Sequence, residues 1–173
     1  MPNLPIDFAP EMVRALLVGR KTQTRRVRKK PDAPCRYSVG DYLWVREAVW
    51  HPTCLNCGTL RYCADTPAKP GYMYDKVSSS HMPRNLSRIT LEVTEVRLQR
   101  VRDITSEDAK AEGVVPSRLY SEAMRANHRG DEYLCAFRAL WDSLYTKPED
   151  WWYENPQVWV ISFQVVKEGN NDK

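Results

Sequence analysis

The stretch RITLEVTEVRLQRVR, residues 88–102, decides the fold. Ile89, Leu91 and Val93 alternate with polar residues, as one buried face of a strand requires. Val96 and Leu98 continue the alternation in the opposite phase. A strand that changes phase at Thr94–Glu95 needs a bulge or a bend, and such bends turn the corners of small barrels. Just downstream, Thr105 and Asp108 spell a capping box, Ile104 can act as a hydrophobic staple, and Gly113 can end the short helix of about 106–112. Upstream, Gly40-Asp41 turns into a strand over 42–50, where Leu43, Val45 and Val49 alternate with a change of phase near Ala48. A last strand is expected over 158–166, VWVISFQVV.

Helices fill the spaces between these strands. The first is predicted over 10–18, with Pro10 at its first position, Glu11 complementing the positive helix end and Gly19 closing it. Its apolar face is Met12, Val13, Leu16 and Leu17. Residues 119–127 form a further candidate. A stronger one spans 131–145, where Leu134, Phe137, Trp141 and Leu144 recur at helical spacing before Pro148. Residues 21–28 show no helical stripe and read as a loop or an edge strand. Strands separated by lone helices predict an α+β fold: a small β-barrel with a layer of helices. The six tryptophans are expected mainly in packing, with one or two able to stack on a base.

The chain is 173 residues, 42% hydrophobic and 28% charged, which predicts one domain over 1–173 and argues against wholesale disorder. No apolar run approaches the roughly 20 residues needed to cross a bilayer. MPNLPIDF has neither a basic nor an apolar region of a secretory signal. Five cysteines, an odd number, suit a reducing cytoplasm better than a disulfide framework. Residues 51–83 stand apart, with four prolines, three cysteines, a run of three serines and little periodicity. They read as an insertion that needs a function or an organising element of its own.

The net charge is +4, but eight basic residues and no acidic one lie between Arg14 and Lys30. The rest of the chain is therefore net acidic. Such a cluster is either a solvated basic face or the footprint of an anionic partner, most commonly nucleic acid. Within it, GRKTQTRR over 19–26 admits two chemistries. Arginines beside Lys21 favour its neutral amine, which can act as a general base toward a threonine hydroxyl. Alternatively Arg20, Arg25, Arg26 and Arg28, with the hydroxyls of Thr22 and Thr24, can bind phosphates. Composition favours the second.

Two further features carry chemistry. Glu112 is placed at the C-terminal end of a helix, where a negative charge opposes the macrodipole. That is either a solvated glutamate paired with Lys110 or a nearby arginine, or a functional carboxylate. In the insertion, His51, Cys54, Cys57 and Cys63 have zinc-knuckle character, with Cys35 or His81 as substitutes, because a Cys-x-x-Cys-Gly turn aims two thiolates at one ion. Reduced, unliganded thiols are the alternative.

Five blocks taken together resemble an ASCH-domain protein of the PUA-like superfamily, in the longer, tryptophan-rich form found in bacteriophages and prophages. They are LLVGRKTQTRR, GDYLWVRE, HMPRNLSRITLEVTEVR, DITSEDAKAEGV and WVISFQVV. The resemblance implies a PUA-like barrel with a cleft between barrel and helices, and a modified nucleoside or single-stranded nucleic acid as partner. One small bacterial ASCH enzyme is an N4-acetylcytidine amidohydrolase that uses a lysine, a threonine and a glutamate. Residue by residue this implies Lys21, Thr24 and Glu112 as the catalytic set, with Arg26 in the same block. It implies no catalytic cofactor, so zinc would be structural. Other ASCH proteins are ribonucleases or non-catalytic RNA- or DNA-binding modules. The 51–83 insertion has no counterpart in the small enzyme, and is expected to reshape or cover the cleft.

Overall fold

The computed structural model describes residues 3–54, 58–116 and 131–168. Strands β1 (Asn3–Asp7), β2 (Gln23–Val27), β3 (Tyr42–Arg46), β7 (Ile89–Arg100) and β8 (Gln157–Glu168) form one sheet in the order β1-β3-β7-β8-β2. Helices α1 (Pro10–Leu17), α2 (Ser106–Ala111) and α3 (Glu132–Leu144) pack on it. The fold is α+β. The helix expected over 119–127 falls outside the described residues.

The phase change in residues 88–102 is a bulge. The β7–β8 register shifts between Val93 and Glu95, and a second shift follows Thr90. β8 keeps its phase past this point and serves both cores from its two faces: Val158 and Val160 enter one, Ile161 and Phe163 the other. The first core joins α1 to β1, β3, β7 and β8 through Val13, Leu16, Ile6, Leu43, Leu91 and Phe163. The second joins α2 and α3 to the sheet through Ala109, Phe137, Trp141 and Val160.

Residues 23–27 form an edge strand, paired only with β8. The other edge, β1, runs parallel to β3 and carries Pro5, which an edge tolerates because its missing N–H breaks no ladder. Among the described residues the ladder is open. The two edges are nonetheless linked, because Arg26 Nη2 on β2 donates to the Asp7 carbonyl on β1 at 2.7 Å. The sheet curls as a barrel does, with a side chain where a strand pairing would close it.

The strand expected over 42–50 is two strands. It breaks at Glu47–Ala48, where the phase changes, and continues as β4 (Val49–Pro52) in a second sheet. There β4 lies between β5 (Arg61–Tyr62) and β6 (Tyr74–Val77). This small sheet is the organising element of the insertion. Arg88, at the start of β7, ties the two sheets together. It pairs bidentately with the buried Glu47 at 2.8 and 3.0 Å, binds Asp65 at 2.6 and 3.0 Å, and lies 4.0 Å over the Tyr62 ring.

Candidate functional site

The chain between α1 and β2 is held by backbone hydrogen bonds to three elements. Gly19, at φ +69°, turns it out of α1. The amides of Arg20 and Lys21 donate to the Ala15 carbonyl at 2.8 and 3.0 Å. The Thr22 amide donates to the Ala111 carbonyl of α2, and its carbonyl accepts from Phe163 of β8. Lys21 is therefore fixed by its backbone before its side chain makes any contact.

From the other side comes Glu112, the residue that ends α2. The following Gly113 adopts φ +84°, which an L side chain rarely does. A Cβ there would stand 2.8 Å from the Ala15 Cβ and 2.9 Å from the Lys21 Cβ. Only glycine lets α2 come this close, and that approach brings two residues far apart in sequence together. Lys21 Nζ donates to the Glu112 carboxylate at 3.1 Å, to the Glu112 carbonyl at 2.8 Å and to the Gln23 carbonyl at 2.8 Å. Three acceptors satisfy all three donors of an ammonium. The other Glu112 oxygen accepts from Arg25 Nη1 at 3.0 Å, and Arg25 Nη2 reaches Asp108 at 2.8 Å.

Lys21 and Glu112 are only 2% and 3% exposed, so this is a buried network in which every charge depends on its partner. Burial lowers the Lys21 pKa from its ordinary 10.5. Glu112 opposes that shift by its charge and hydrogen bond, while Arg26 and Arg25 add to it. The neighbouring arginines thus act in the direction their spacing implies, but loss of hydration is the larger cause. Burial pushes the Asp108 carboxyl up, yet Arg25, Gln23 and Arg97 outweigh it and hold the group below its ordinary value.

The network forms part of the wall of a cavity of about 390 Å³, which Thr24 and Arg26 also line. Its apolar surface includes Phe8, Phe137, Leu140 and Trp141, and Tyr145 stacks on Trp141 with ring centroids 4.1 Å apart. Lys76, Ser78 and Ser79 of the insertion line it too, so the insertion does reach the cleft. Phe8 lies beneath two cations, Lys21 at 5.3 Å and Arg26 at 5.4 Å. Aromatic surfaces beside fixed hydrogen-bonding groups suit a planar, polar-edged ligand.

The structure brings Lys21, Thr24, Arg25, Arg26 and Glu112 to one cavity. Thr24 is not hydrogen-bonded to Lys21 or Glu112, whose bonds go elsewhere. Arg25 is committed to two carboxylates, because alternate residues of β2 face α2. Arg20 and Thr22 are exposed outside the cavity, Arg20 donating to the Gly113 carbonyl. Arg28 follows the end of β2, bound to Gln157 and placed over Trp159. Asp7, Phe8, Lys76, Ser78 and Tyr145 were not singled out in the sequence. Only the i, i+4 spacing of Trp141 and Tyr145 hinted at a shared aromatic wall.

His51, Cys54, Cys57 and Cys63 are the residues expected to hold zinc. Cys54 is disulfide-bonded, and a disulfide offers no thiolate. Cys63 is a buried free thiol, and burial raises its pKa. His51 is exposed, with Nδ1 2.8 Å from the Pro52 carbonyl, and Cys57 lies outside the described residues. The substitutes are no nearer to a ligand set: Cys35 Sγ accepts from the Tyr37 amide, and His81 Nδ1 bonds Ser78 and Ser80. Among the described residues no three His, Cys, Asp or Glu side chains are grouped to hold an ion. No helix among them is long and apolar enough to cross a membrane.

No family model matches the chain, and no curated protein matches it. Solved structures similar to it include the following two. One is a DUF984-family protein of Enterococcus faecalis V583, 13% identical with a TM-score of 0.47, the match covering 100% of this chain and 85% of that one. The other is an ASCH domain from Lactobacillus crispatus JV V101, 15% identical with a TM-score of 0.46, covering 96% of this chain and 80% of that one. What the cavity accepts is decided by its own residues.

Proposed function

We propose that this protein is an ASCH-type amidohydrolase that removes the acyl group from an N4-acylated cytidine bound in the cavity beside Lys21. One observation carries the reading. Lys21 and Glu112 come from distant parts of the chain to within 3.1 Å, on the wall of a cavity that also contains Thr24 and is partly aromatic. The aromatic surfaces sandwich the base. Burial favours the neutral amine of Lys21, the form this chemistry needs. The amine then takes the Thr24 proton as the threonine oxygen attacks the acyl carbon. As the tetrahedral intermediate collapses, Lys21 returns that proton to the departing N4 and cytidine leaves. Water, deprotonated by the same amine, hydrolyses the acyl-threonine ester. Arg25 keeps Glu112 in place throughout.

One observation favours a binding module without turnover: all three Lys21 donors are already engaged. Incubation with a panel of N4-acylated cytidines, read by mass spectrometry, separates the two. The expected result is release of cytidine and the free acid. Lys21→Ala and Lys21→Arg should abolish it, since a guanidinium stays protonated. Thr24→Ala should abolish it and Thr24→Ser retain part. Glu112→Gln should slow it with little change in binding. It should also lower stability by about 3 kcal/mol, because it leaves Lys21 buried without its anion and Arg25 with Asp108 alone. Wild-type protein that binds cytidine and leaves every amide intact is the binding module.

A further inference from the structure

Residues 78–81, Ser-Ser-Ser-His, follow β6 in the insertion and bring two hydroxyls to one imidazole. Ser78 Oγ lies 2.8 Å from His81 Nδ1, and Ser80 Oγ lies 3.2 Å from the same nitrogen. The two hydroxyls are themselves 3.0 Å apart. Ser78 precedes the 3-10 helix Ser79–His81, a position where a serine ordinarily accepts from a helix amide. It makes no such bond, so capping does not account for its side chain. Ser78 also lines the cavity of about 390 Å³, as does Lys76 two residues earlier. Lys76 forms no ion pair among the described residues. The cavity wall therefore carries a hydroxyl already in contact with a base, and a cation free to act.

An imidazole with its proton on Nε2 leaves Nδ1 to accept, and His81 is exposed, so water can satisfy Nε2. Ser78 then donates to Nδ1 and Ser80 donates to the Ser78 oxygen, a relay that eases loss of the Ser78 proton. We propose that Ser78 and His81 form a nucleophile–base pair that gives the cavity an esterase activity toward small-acyl esters of aromatic alcohols. The Ser78 oxygen bonds to the ester carbon as its proton passes to His81 Nδ1. The carbonyl electron pair moves onto its oxygen, where the Lys76 ammonium offsets the charge. Collapse restores the carbonyl and breaks the bond to the alcohol, whose oxygen takes the proton from Nδ1. Water then gives a proton to Nδ1 and attacks the acyl-serine. The acid leaves, and the Ser78 oxygen takes that proton back. The choice of an ester follows from the base. No carboxylate orients His81 among the described residues, and an aromatic alcohol departs with less acid help than an amine. Phe8, Phe137 and Trp141 supply the apolar wall for its ring. The activity uses neither Thr24 nor a cytidine.

The test uses the full chain, 4-nitrophenyl acetate as substrate and phenylmethanesulfonyl fluoride as covalent probe. Steady release of 4-nitrophenol is expected, with the mass of the probe found on the peptide that carries Ser78. Ser78→Ala and His81→Ala should each lower kcat/KM by about a hundredfold or more. Ser78→Cys should recover part of what Ser78→Ala loses, because a thiol is a nucleophile and a methyl group is not. Ser80→Ala should slow turnover by about threefold. All four residues changed are at exposed positions, so Tm should stay within about 2 °C of wild type. Three results overturn the proposal: no turnover of the ester, turnover by Ser78→Ala equal to wild type, or a probe that lands on Thr24 or on lysines. The two activities fail separately. A labelled Ser78 beside intact N4-acylated cytidines leaves the esterase standing without the amidohydrolase. Cytidine release with no label on Ser78 does the reverse.

Discussion

Asp108 does four things with one carboxylate. It receives the Thr105 amide in the capping box of α2, binds Arg25 at 2.8 Å and Arg97 at 2.9 Å, and accepts from Gln23 Nε2 at 3.2 Å. It thus locks the helix that ends in Glu112 to strands β2 and β7. Its folded pKa lies below the ordinary 3.8, so its stabilisation is present above that value and is lost as the pH falls through the lower folded value. Asp108→Asn should cost about 2 kcal/mol near neutral pH. In urea titrations that difference should shrink in acid, and a constant difference down to the acid limb would remove Asp108 from this role. The same residue shows how much could be read beforehand. Thr105, Asp108 and Gly113 announce a helix with both its ends, because capping is local chemistry. Glu112 stood out because its charge opposes the helix dipole. Its partners could not be read from spacing, since they depend on how closely α2 approaches the turn after α1. That Arg25 would bind two carboxylates could not be read beforehand, for a related reason. The faces of an edge strand are set by what packs on them.

At the level of elements, the bulged β7, α1, α2, α3 and β8 were legible because each carries its own period or punctuation. β1 was not, as Pro5 interrupts its pattern and its pairing is parallel to a distant strand. Nor was the small sheet, whose strands of two to four residues are too short to show alternation. Only the phase change near Ala48 marked where the chain enters it. What holds that sheet to the rest is Arg88. Burial raises the Glu47 pKa, and the bidentate contact with Arg88 opposes this. Arg88→Ala therefore strands a carboxylate that is 1% exposed, at a cost of about 3–5 kcal/mol. Hydrogen exchange should show the amides of β4 and β6 losing protection well before those of β7 and β8. Loss of protection spread evenly over both sheets would contradict the clamp.

Across the whole molecule, the cavity lies on the seam between the two cores. Phe8 belongs to the first core, and Phe137 and Trp141 to the second. A ligand held there touches α1, α3, both edges of the main sheet and the inserted sheet at once, so binding should stabilise the chain as a unit. At a hundredfold excess over its Kd, cytidine 5′-monophosphate should add about 2.7 kcal/mol, or roughly 5–10 °C in Tm for a domain of this size. Differential scanning calorimetry would show a single transition moving upward with ligand. A split transition, with only one part moving, would place the ligand on one core alone.

The bulge at Thr94 has a consequence for how this fold can change over generations. A strand assigns its side chains by counting in twos, so one residue more or less respells everything after it. Past Thr94, Arg97 meets Asp108 and Gln23, while Leu98 stands opposite Trp159. Thr94 itself is exposed, and many residues would serve there. Its absence would not be tolerated in the same way. A deletion would turn Arg97 to the opposite face and unfasten α2 from the strand, just as a lost nucleotide changes every later codon. At this position a lineage is free in its spelling but bound in its length.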